Sequence, residues 1–129
     1  MAIRGIRGAT VAQANTAEAI RTATRELLLA LINANGLEAD DIASVFFSVT
    51  PDLSAEAPAR AARDLGWEEA AMLCLAEMPV PGAPERCIRV LIHWNTDVPS
   101  SQVQHVYLHA AAQLRPDRAN AANGRHAAG

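Results

Sequence analysis

A permanently charged side chain interrupts an apolar segment that has the pattern of a β-strand. The stretch ERCIRVLIHWNTDVP, residues 85–99, contains Arg89 between Ile88 and Val90. In an extended chain Arg89 lies on one face with Leu91, so it occupies a mainly apolar face. A guanidinium keeps its proton in a protein, and burying it without a partner costs on the order of several kcal/mol. The sequence therefore predicts an anion or a set of acceptors beside Arg89.

Further charged residues lie in or beside the predicted strands and the second predicted helix. They are Arg7, Arg63 and Arg115, and Glu77 is the acidic residue nearest a strand end. From residue types alone, structural salt bridges and an anion-binding site both fit these side chains.

Other reactive residue types have weaker support. Cys74 has no local Cys-His signature, so a small apolar strand residue is the better interpretation than a nucleophile. His105 and His109 are four residues apart, but no third ligand stands at a recognisable spacing, and we predict no metal site. Tyr107 on a strand is more typical of a core or rim aromatic residue.

Composition limits the possible architecture and partners. The chain has 129 residues, of which 50% are hydrophobic and 4% aromatic, which predicts one domain with an aliphatic, alanine-rich core of sheet and helix layers. The formal net charge is −3 and the arginines are scattered, which argues against nucleic-acid binding. Two cysteines, no signal-peptide pattern and no long apolar run predict a cytoplasmic protein that does not bind membranes.

Hydrophobic periodicity gives the order of elements in the first half of the chain. Residues 2–12 predict a strand, and residues 15–36 predict a helix that starts at a capping-box-like Asn15 and Glu18 and stops at Gly36. Residues 42–49 predict a buried strand that ends in a turn at residues 50–52.

The second half is predicted to hold two more strands and to end in a tail. A short helix falls within residues 54–67, and two strands in residues 69–95 flank a loop with three prolines. A short helix after Pro99 and a strand in HVYLHA, residues 105–110, complete the domain at residue 118. Residues 119–129 lack periodicity and predict a mobile C-terminal tail.

Six short stretches in collinear order now point to a family. IRGIRGAT, TPDL, CIRV, TDVP, HVYL and LRPD together resemble the AroH-class, or Bacillus-type, monofunctional chorismate mutases. The resemblance spans nearly all of residues 2–118. It implies an α+β fold, with a mixed sheet and helices packed on one side, that forms a pseudo α/β barrel as a homotrimer. It also implies isomerisation of chorismate to prephenate, in phenylalanine and tyrosine biosynthesis, at sites between subunits and without a cofactor.

The resemblance assigns roles to individual residues. It implies that Arg7 binds a substrate carboxylate near Tyr107, that Arg89 meets the ether oxygen, and that Glu77 accepts a hydrogen bond from the substrate hydroxyl. It also implies that Cys74 is a wall residue close to Glu77. Because strict alternation would put these two residues on opposite faces, we expect the strand to end or bulge before Glu77. The other implied substrate-binding positions are Leu73, Cys74, Ala57, Ala59, Arg60, Arg63, Leu114 and Arg115.

Two positions depart from the pattern of the family. Ala57 stands where a bulky aromatic is expected, and Arg60 stands where lysine is expected. Alanine at position 57 reduces the apolar contact with the substrate. Arginine at position 60 keeps the positive charge of lysine but presents it as a planar guanidinium with a different hydrogen-bonding geometry. Both bear on affinity more than on the chemical step.

Two other functions compete with the mutase. The Rid-like imine or enamine deaminases share a similar trimeric fold and also bind carboxylates with arginine, but the order of the motifs argues against them. A non-catalytic trimer that binds small carboxylates needs the same charges, so the sequence alone leaves that alternative open.

Overall fold

The computed structural model describes residues 2–116 as an α+β fold around one mixed sheet. Its strands are β1 (Ile3–Val11), β2 (Ile42–Val49), β3 (Ala71–Ala76), β4 (Cys87–Asn95) and β5 (Val106–Tyr107), in the order β3-β2-β4-β1-β5. β4 runs antiparallel to β1 and β2, while the edge strands β3 and β5 pair in parallel with β2 and β1. The predicted α+β class with a mixed sheet is confirmed.

Two α-helices cover one face of this sheet. They are α1 (Ala17–Asn35) and α2 (Ala59–Asp64), and three short 3₁₀ helices span Ala39–Asp41, Ser100–Gln102 and His109–Leu114. The core between helices and sheet is aliphatic except for Phe47 and two tryptophans; its central members are Ile6, Leu27, Leu28, Leu31, Val45, Phe47, Val90, Ile92 and Trp94. Within residues 2–116, no helix combines the length and the apolar character needed to cross a membrane.

Gly8 allows α1 to lie close to β1. A Cβ atom at this position would lie 3.0 Å from Leu31 Cδ1, 3.1 Å from Leu27 Cδ1 and 3.2 Å from the Val106 carbonyl oxygen. Because the last of these atoms belongs to the backbone of β5, there is little room to relax around a larger residue.

The N-terminal cap of α1 differs by one residue from the prediction. Thr16 is the cap and its Oγ1 accepts a hydrogen bond from the Ala19 amide. The Asn15 side chain instead accepts from the amides of Ser54 and Ala55, so it links the start of α1 to the segment before α2. The prediction of Asn15 as cap is wrong, whereas the stop at Gly36, in a left-handed conformation, is confirmed.

The segment after β4 is less regular than predicted. The helix after Pro99 is a single 3₁₀ turn, and the strand predicted over residues 105–110 contains only Val106 and Tyr107. His109 has φ of 54°, which ends the extended chain, and a 3₁₀ helix follows. The strand prediction is therefore wrong beyond Tyr107. The predicted tail, residues 119–129, lies outside the described residues.

The face of the sheet opposite α1 and α2 is open over much of its area. Alternate residues of β4 are buried under the helices, whereas Arg89, Leu91 and His93 are half-buried on the open face. Leu73 and Leu75 of the edge strand are 52% and 47% exposed. The 3₁₀ helix His109–Leu114 covers one end of this face, where Ala111 packs on Ala9 and Tyr107.

Candidate active site

The candidate site begins as one row of side chains that crosses the open face of the sheet. Tyr107 pairs with Ala9, Ala9 with Arg89, Arg89 with Ser48, and Ser48 with Leu75. Residues in register on neighbouring strands point to the same face. The register therefore brings an aromatic, a cation and a hydroxyl into one line, and the small Ala9 between Tyr107 and Arg89 is covered by Ala111.

Glu77 supplies the partner for Arg89. Arg89 Nη1 donates to Glu77 Oε1 at 3.0 Å, and Ser48 Oγ donates to Glu77 Oε2. The Arg89 side chain is 42% exposed and that of Glu77 is 23% exposed, so the pair stays in contact with solvent. The charge in the middle of β4 is therefore balanced by a carboxylate at the edge of an open cavity.

Glu77 reaches the site because β3 ends one residue earlier. The strand stops at Ala76, yet the Glu77 amide still donates to the Val49 carbonyl oxygen at 2.8 Å. The predicted strand end before Glu77 is therefore found, but Glu77 keeps the face that alternation gives it, so the predicted change of face relative to Cys74 does not occur within this chain. Cys74 pairs with the buried Phe47 and so lies on the helix side of the sheet edge, away from the Arg89 row.

Arg7 lies one row further along the same face. It pairs with Leu91 in register, and its backbone amide donates to His105 Nδ1 at 3.0 Å. Within residues 2–116 the Arg7 guanidinium makes no hydrogen bond or ion pair. A half-buried cation without a partner among residues 2–116 is suited to bind an anion from solution.

These residues surround a cavity of about 260 Å³. Its lining includes two arginines, one carboxylate, one phenol and one serine hydroxyl, and the other side chains are apolar: Arg7, Phe46, Ser48, Leu75, Glu77, Arg89, Leu91 and Tyr107. Four of the residues predicted for catalysis or binding, namely Arg7, Glu77, Arg89 and Tyr107, thus meet at one place.

A second cavity of about 390 Å³ adjoins the first at Glu77 and Arg89. Its walls are the loop after β3 and the end of the last 3₁₀ helix, including Met78, Pro81, Gln113 and Leu114. Leu114 therefore reaches the site from the C-terminal side, and Arg115 follows it directly in the chain.

The thiol nearest the pair is unreactive for a physical reason. Cys87 lies in the wall of the second cavity and is 3% exposed. Burial raises the pKa of the Cys87 thiol to about 11, although the Arg89 charge acts in the opposite direction. Cys87 therefore carries no thiolate at neutral pH and provides no nucleophile.

Besides Cys74, five of the residues named from the sequence lie elsewhere in the same chain. Ala59, the first residue of α2, is buried in the core. Ala57, Arg60 and Arg63 are exposed on the helix side of the sheet. Arg60 Nε lies 3.5 Å from Asp64 Oδ1. Leu73 lies on the open face but at its outer edge. In a single chain, the sheet separates Ala57, Ala59, Arg60 and Arg63 from Arg89.

Sequence reasoning missed three residues near the site. Ser48 bonds to Glu77, His105 accepts from the Arg7 amide, and Gln113 lines the second cavity. The only available signal for Ser48 was its place in a predicted strand, because its contact with Glu77 depends on the register of β2 with β3.

The fold and the site together define an α+β protein with a cavity on the open face of its sheet whose charges suit a small organic anion. Two guanidinium groups, a carboxylate and a phenol converge there, and the one buried thiol nearby is protonated. Comparison with known proteins identifies the family: the model for chorismate mutase type I matches residues 3–118, and the chain belongs to this family.

Named relatives agree with this family. The chain is 51% identical to the chorismate mutase AroH of Thermus thermophilus over 116 residues, which cover 89% of this chain and 95% of the relative. It is 45% identical to the chorismate mutase AroH of Bacillus subtilis strain 168 over 118 residues, covering 91% and 93%. A solved chorismate mutase from Clostridium thermocellum superposes with a TM-score of 0.82 at 49% identity, covering 84% of this chain and 97% of that one.

Proposed function

We propose that this protein is an isomerase that converts chorismate to prephenate at the cavity formed by Arg89 and Glu77. The observation that carries this proposal is the convergence of Arg89, Glu77, Arg7 and Tyr107 on one open cavity. The family and its named relatives support the same activity. The reaction belongs to the biosynthesis of phenylalanine and tyrosine.

The chemistry explains why a fixed cation is useful. Chorismate is a dianion, and its pericyclic rearrangement breaks a carbon–oxygen bond while it forms a carbon–carbon bond. Negative charge grows on the ether oxygen in a transition state that needs no external nucleophile, metal or proton. We propose that Arg89 donates to this oxygen. A preorganised donor of this kind contributes about 3 kcal/mol even when it is neutral, because it acts mainly on the transition state.

The remaining groups hold the substrate in its reactive conformer. We assign Arg7 to a substrate carboxylate, with Tyr107 nearby, since the Arg7 guanidinium has no partner within residues 2–116. Glu77 accepts from the substrate hydroxyl, because each of its oxygens can accept more than the one hydrogen bond that it already receives. Holding the compact conformer lowers the entropic part of the barrier.

The active assembly in this proposal is a homotrimer whose sites are completed by a neighbouring subunit. Ala57, Ala59, Arg60 and Arg63 lie across the sheet from Arg89, so another chain is the direct way to bring them to the cavity. The exposed side chains Leu73 and Leu75 provide an apolar surface for this contact. Cys74 and Leu73 join the cavity wall from that neighbour, while Leu114 and Arg115 come from the same chain as Arg89.

The proposal also includes the boundaries of the domain and the cellular compartment of the protein. One domain spans residues 1–118, and the protein acts in the cytoplasm, where Cys74 and Cys87 remain free thiols. No cofactor enters the mechanism, because the rearrangement is unimolecular and has no redox step.

A direct assay tests the proposed function. Purified protein is added to chorismate, the loss of chorismate absorbance is followed, and the product is identified as prephenate by its mass and by its acid conversion to phenylpyruvate. Enzymatic formation of prephenate without added metal or nucleotide is the expected result. Release of ammonia from an imine or enamine would favour a deaminase instead, and saturable binding of chorismate without turnover would favour a carboxylate-binding protein.

A further inference from the structure

Ser48 stands behind Glu77 in the site and has no role in the mechanism described so far. It is directly opposite Arg89 in the pairing of β2 with β4, and both side chains point to the open face. Ser48 Oγ donates to Glu77 Oε2, while Arg89 Nη1 donates to the other oxygen, Oε1. The carboxylate is therefore held at both oxygens by groups from two neighbouring strands.

Glu77 needs such support because of its place in the chain. It lies at the first position after β3, where a loop of exposed residues begins, and among residues 2–116 its backbone is tied to the sheet through the bond to Val49. A glutamate side chain has three rotatable bonds, so one contact with Arg89 leaves the plane of the carboxylate undefined. Two contacts, one on each oxygen, define both its position and its plane.

We propose that Ser48 is a positioning residue for the isomerisation and that it acts through Glu77. Its hydroxyl fixes the carboxylate so that the remaining acceptor positions of Glu77 face the cavity and the substrate hydroxyl. The inference rests on the proposed function, since it assigns Ser48 to that reaction.

The test is a double-mutant cycle on kcat/KM with chorismate. Ser48→Ala is expected to lower kcat/KM by about tenfold or more, the range for loss of a hydrogen bond to a charged group. In the Glu77→Ala background the same change should cost less than about twofold, because no carboxylate remains to be held. Ser48→Thr keeps the hydroxyl on a strand residue and should restore most of the activity.

Ser44→Ala is the matched control. Ser44 lies on the same strand and face, and its Oγ lies 2.7 Å from His93 Nδ1, so the control also removes a hydroxyl contact but leaves Glu77 untouched. It should keep kcat/KM within about twofold of the wild type. Circular dichroism, thermal melting and light scattering on every variant separate a local effect from misfolding or altered assembly.

The outcomes separate this inference from the proposed function. The role of Ser48 alone would be overturned if the wild type is active but Ser48→Ala keeps kcat/KM within twofold of it. The same conclusion would follow if Ser48→Ala lowers kcat/KM by equal factors in the wild-type and Glu77→Ala backgrounds. The role of Ser48 would also be overturned if the loss of kcat/KM in Ser48→Ala is accompanied by a matching fall in melting temperature and Ser48→Thr does not restore the activity. A wild type that does not turn over chorismate would overturn both.

Discussion

Arg89 places a charge in a β-strand, which carries a cost in folding free energy, but the same charge is useful for the proposed reaction. Its charge lies in the middle of a strand, and Glu77 balances it at 3.0 Å without withdrawing it from the cavity. Both groups keep substantial contact with solvent, so the pair is not a buried salt bridge in need of full compensation. The arrangement leaves a fixed cation where an anionic substrate can reach it.

Replacing Arg89 by glutamine separates catalysis from binding. The amide can still donate a hydrogen bond but has no charge, so the loss should fall on the chemical step. We expect kcat to fall at least about a thousandfold, roughly 4 kcal/mol, while Arg7→Gln mainly raises KM because a carboxylate anchor acts on ground state and transition state alike. Steady-state kinetics on folded protein measures both effects.

The control for these variants is Arg25→Gln, which removes a charge from the exposed surface of α1. It should leave kcat and KM unchanged. A folded Arg89→Gln protein that turns over chorismate within tenfold of the wild-type rate would make Arg89 a structural ion-pair residue and would contradict the mechanism.

The buried thiol gives a second prediction at this scale. With its pKa raised to about 11 by burial, Cys87 is almost entirely protonated at pH 8. In a Cys74→Ala variant, where Cys87 is the only cysteine, iodoacetamide should label native protein far more slowly than protein in guanidinium chloride. Mass spectrometry of timed samples measures the rates, and equal rates would show that the site opens readily.

Residue patterns predicted the faces of β4 correctly but not the contacts made on them. Alternation depends only on the local geometry of an extended chain, so the separation of Arg89 from Ile88 and Val90 could be predicted. The bond from Ser48 to Glu77 depends on how β2 aligns with both β3 and β4. That register is set by packing across the whole sheet, and residue types alone do not specify it.

At the scale of elements, a turn ties the end of β2 to the start of β4. Thr50 Oγ1 accepts from the Cys87 amide at 2.9 Å and donates to Asp52 Oδ1, while Asp52 Oδ2 accepts from the Arg86 amide at 2.8 Å. This turn holds the end of the long loop after β3 in place. It therefore supports the strand that carries Arg89.

Asp52 should make this support dependent on pH. The hydrogen bond from Thr50, helped by that from Arg86, lowers the pKa of Asp52 below its ordinary value. A lowered pKa stabilises the fold above the unfolded pKa of about 3.9, and this stabilisation is lost as pH falls through the folded pKa. Asp52→Asn should therefore melt at a lower temperature than wild type at pH 7, and the difference should shrink below about pH 4.

Screening by solvent limits how much the Asp52 carboxylate contributes to the free energy of unfolding. Asp52 is exposed, so we expect less than about 1 kcal/mol. Asp40→Asn changes another exposed aspartate outside this turn and serves as the control in calorimetry. A difference between Asp52→Asn and wild type that stays constant from pH 7 to pH 3 would contradict the assigned cause.

Elements were predicted best where one face is fully buried. The strand at residues 42–49 has the predicted bounds because its core residues alternate and a proline turn follows. Prediction failed beyond Tyr107, because a 3₁₀ helix begins at the left-handed His109, whose Nε2 lies 2.8 Å from Glu26 Oε1 of α1. It also missed the cap at Thr16, since the competing role of Asn15 is a contact 39 residues away.

At the scale of the whole molecule, the position of Ala57, Ala59, Arg60 and Arg63 is the argument for the proposed assembly. α2 packs on one face of the sheet and Arg89 lies on the other, so Arg63 and Arg89 of one chain are separated by a layer of strands. In the proposed homotrimer, head-to-tail contacts in a ring of three chains would place α2 of each subunit beside the cavity of the next. Light scattering should accordingly give three times the chain mass of 13.7 kDa.

Sites shared between chains can be tested by mixing two defective proteins. Arg89→Gln and Arg63→Ala trimers should each have low activity, because every site lacks one arginine. If they are co-refolded in equal amounts, random assembly gives about a quarter of the sites an intact Arg89 from one chain and an intact Arg63 from its neighbour. Activity should then rise from near zero to about a quarter of the wild-type value, and mixing without refolding is the control. Activity equal to the mean of the two parent proteins after refolding would mean that each site is built within one chain, which would contradict the proposed trimeric site.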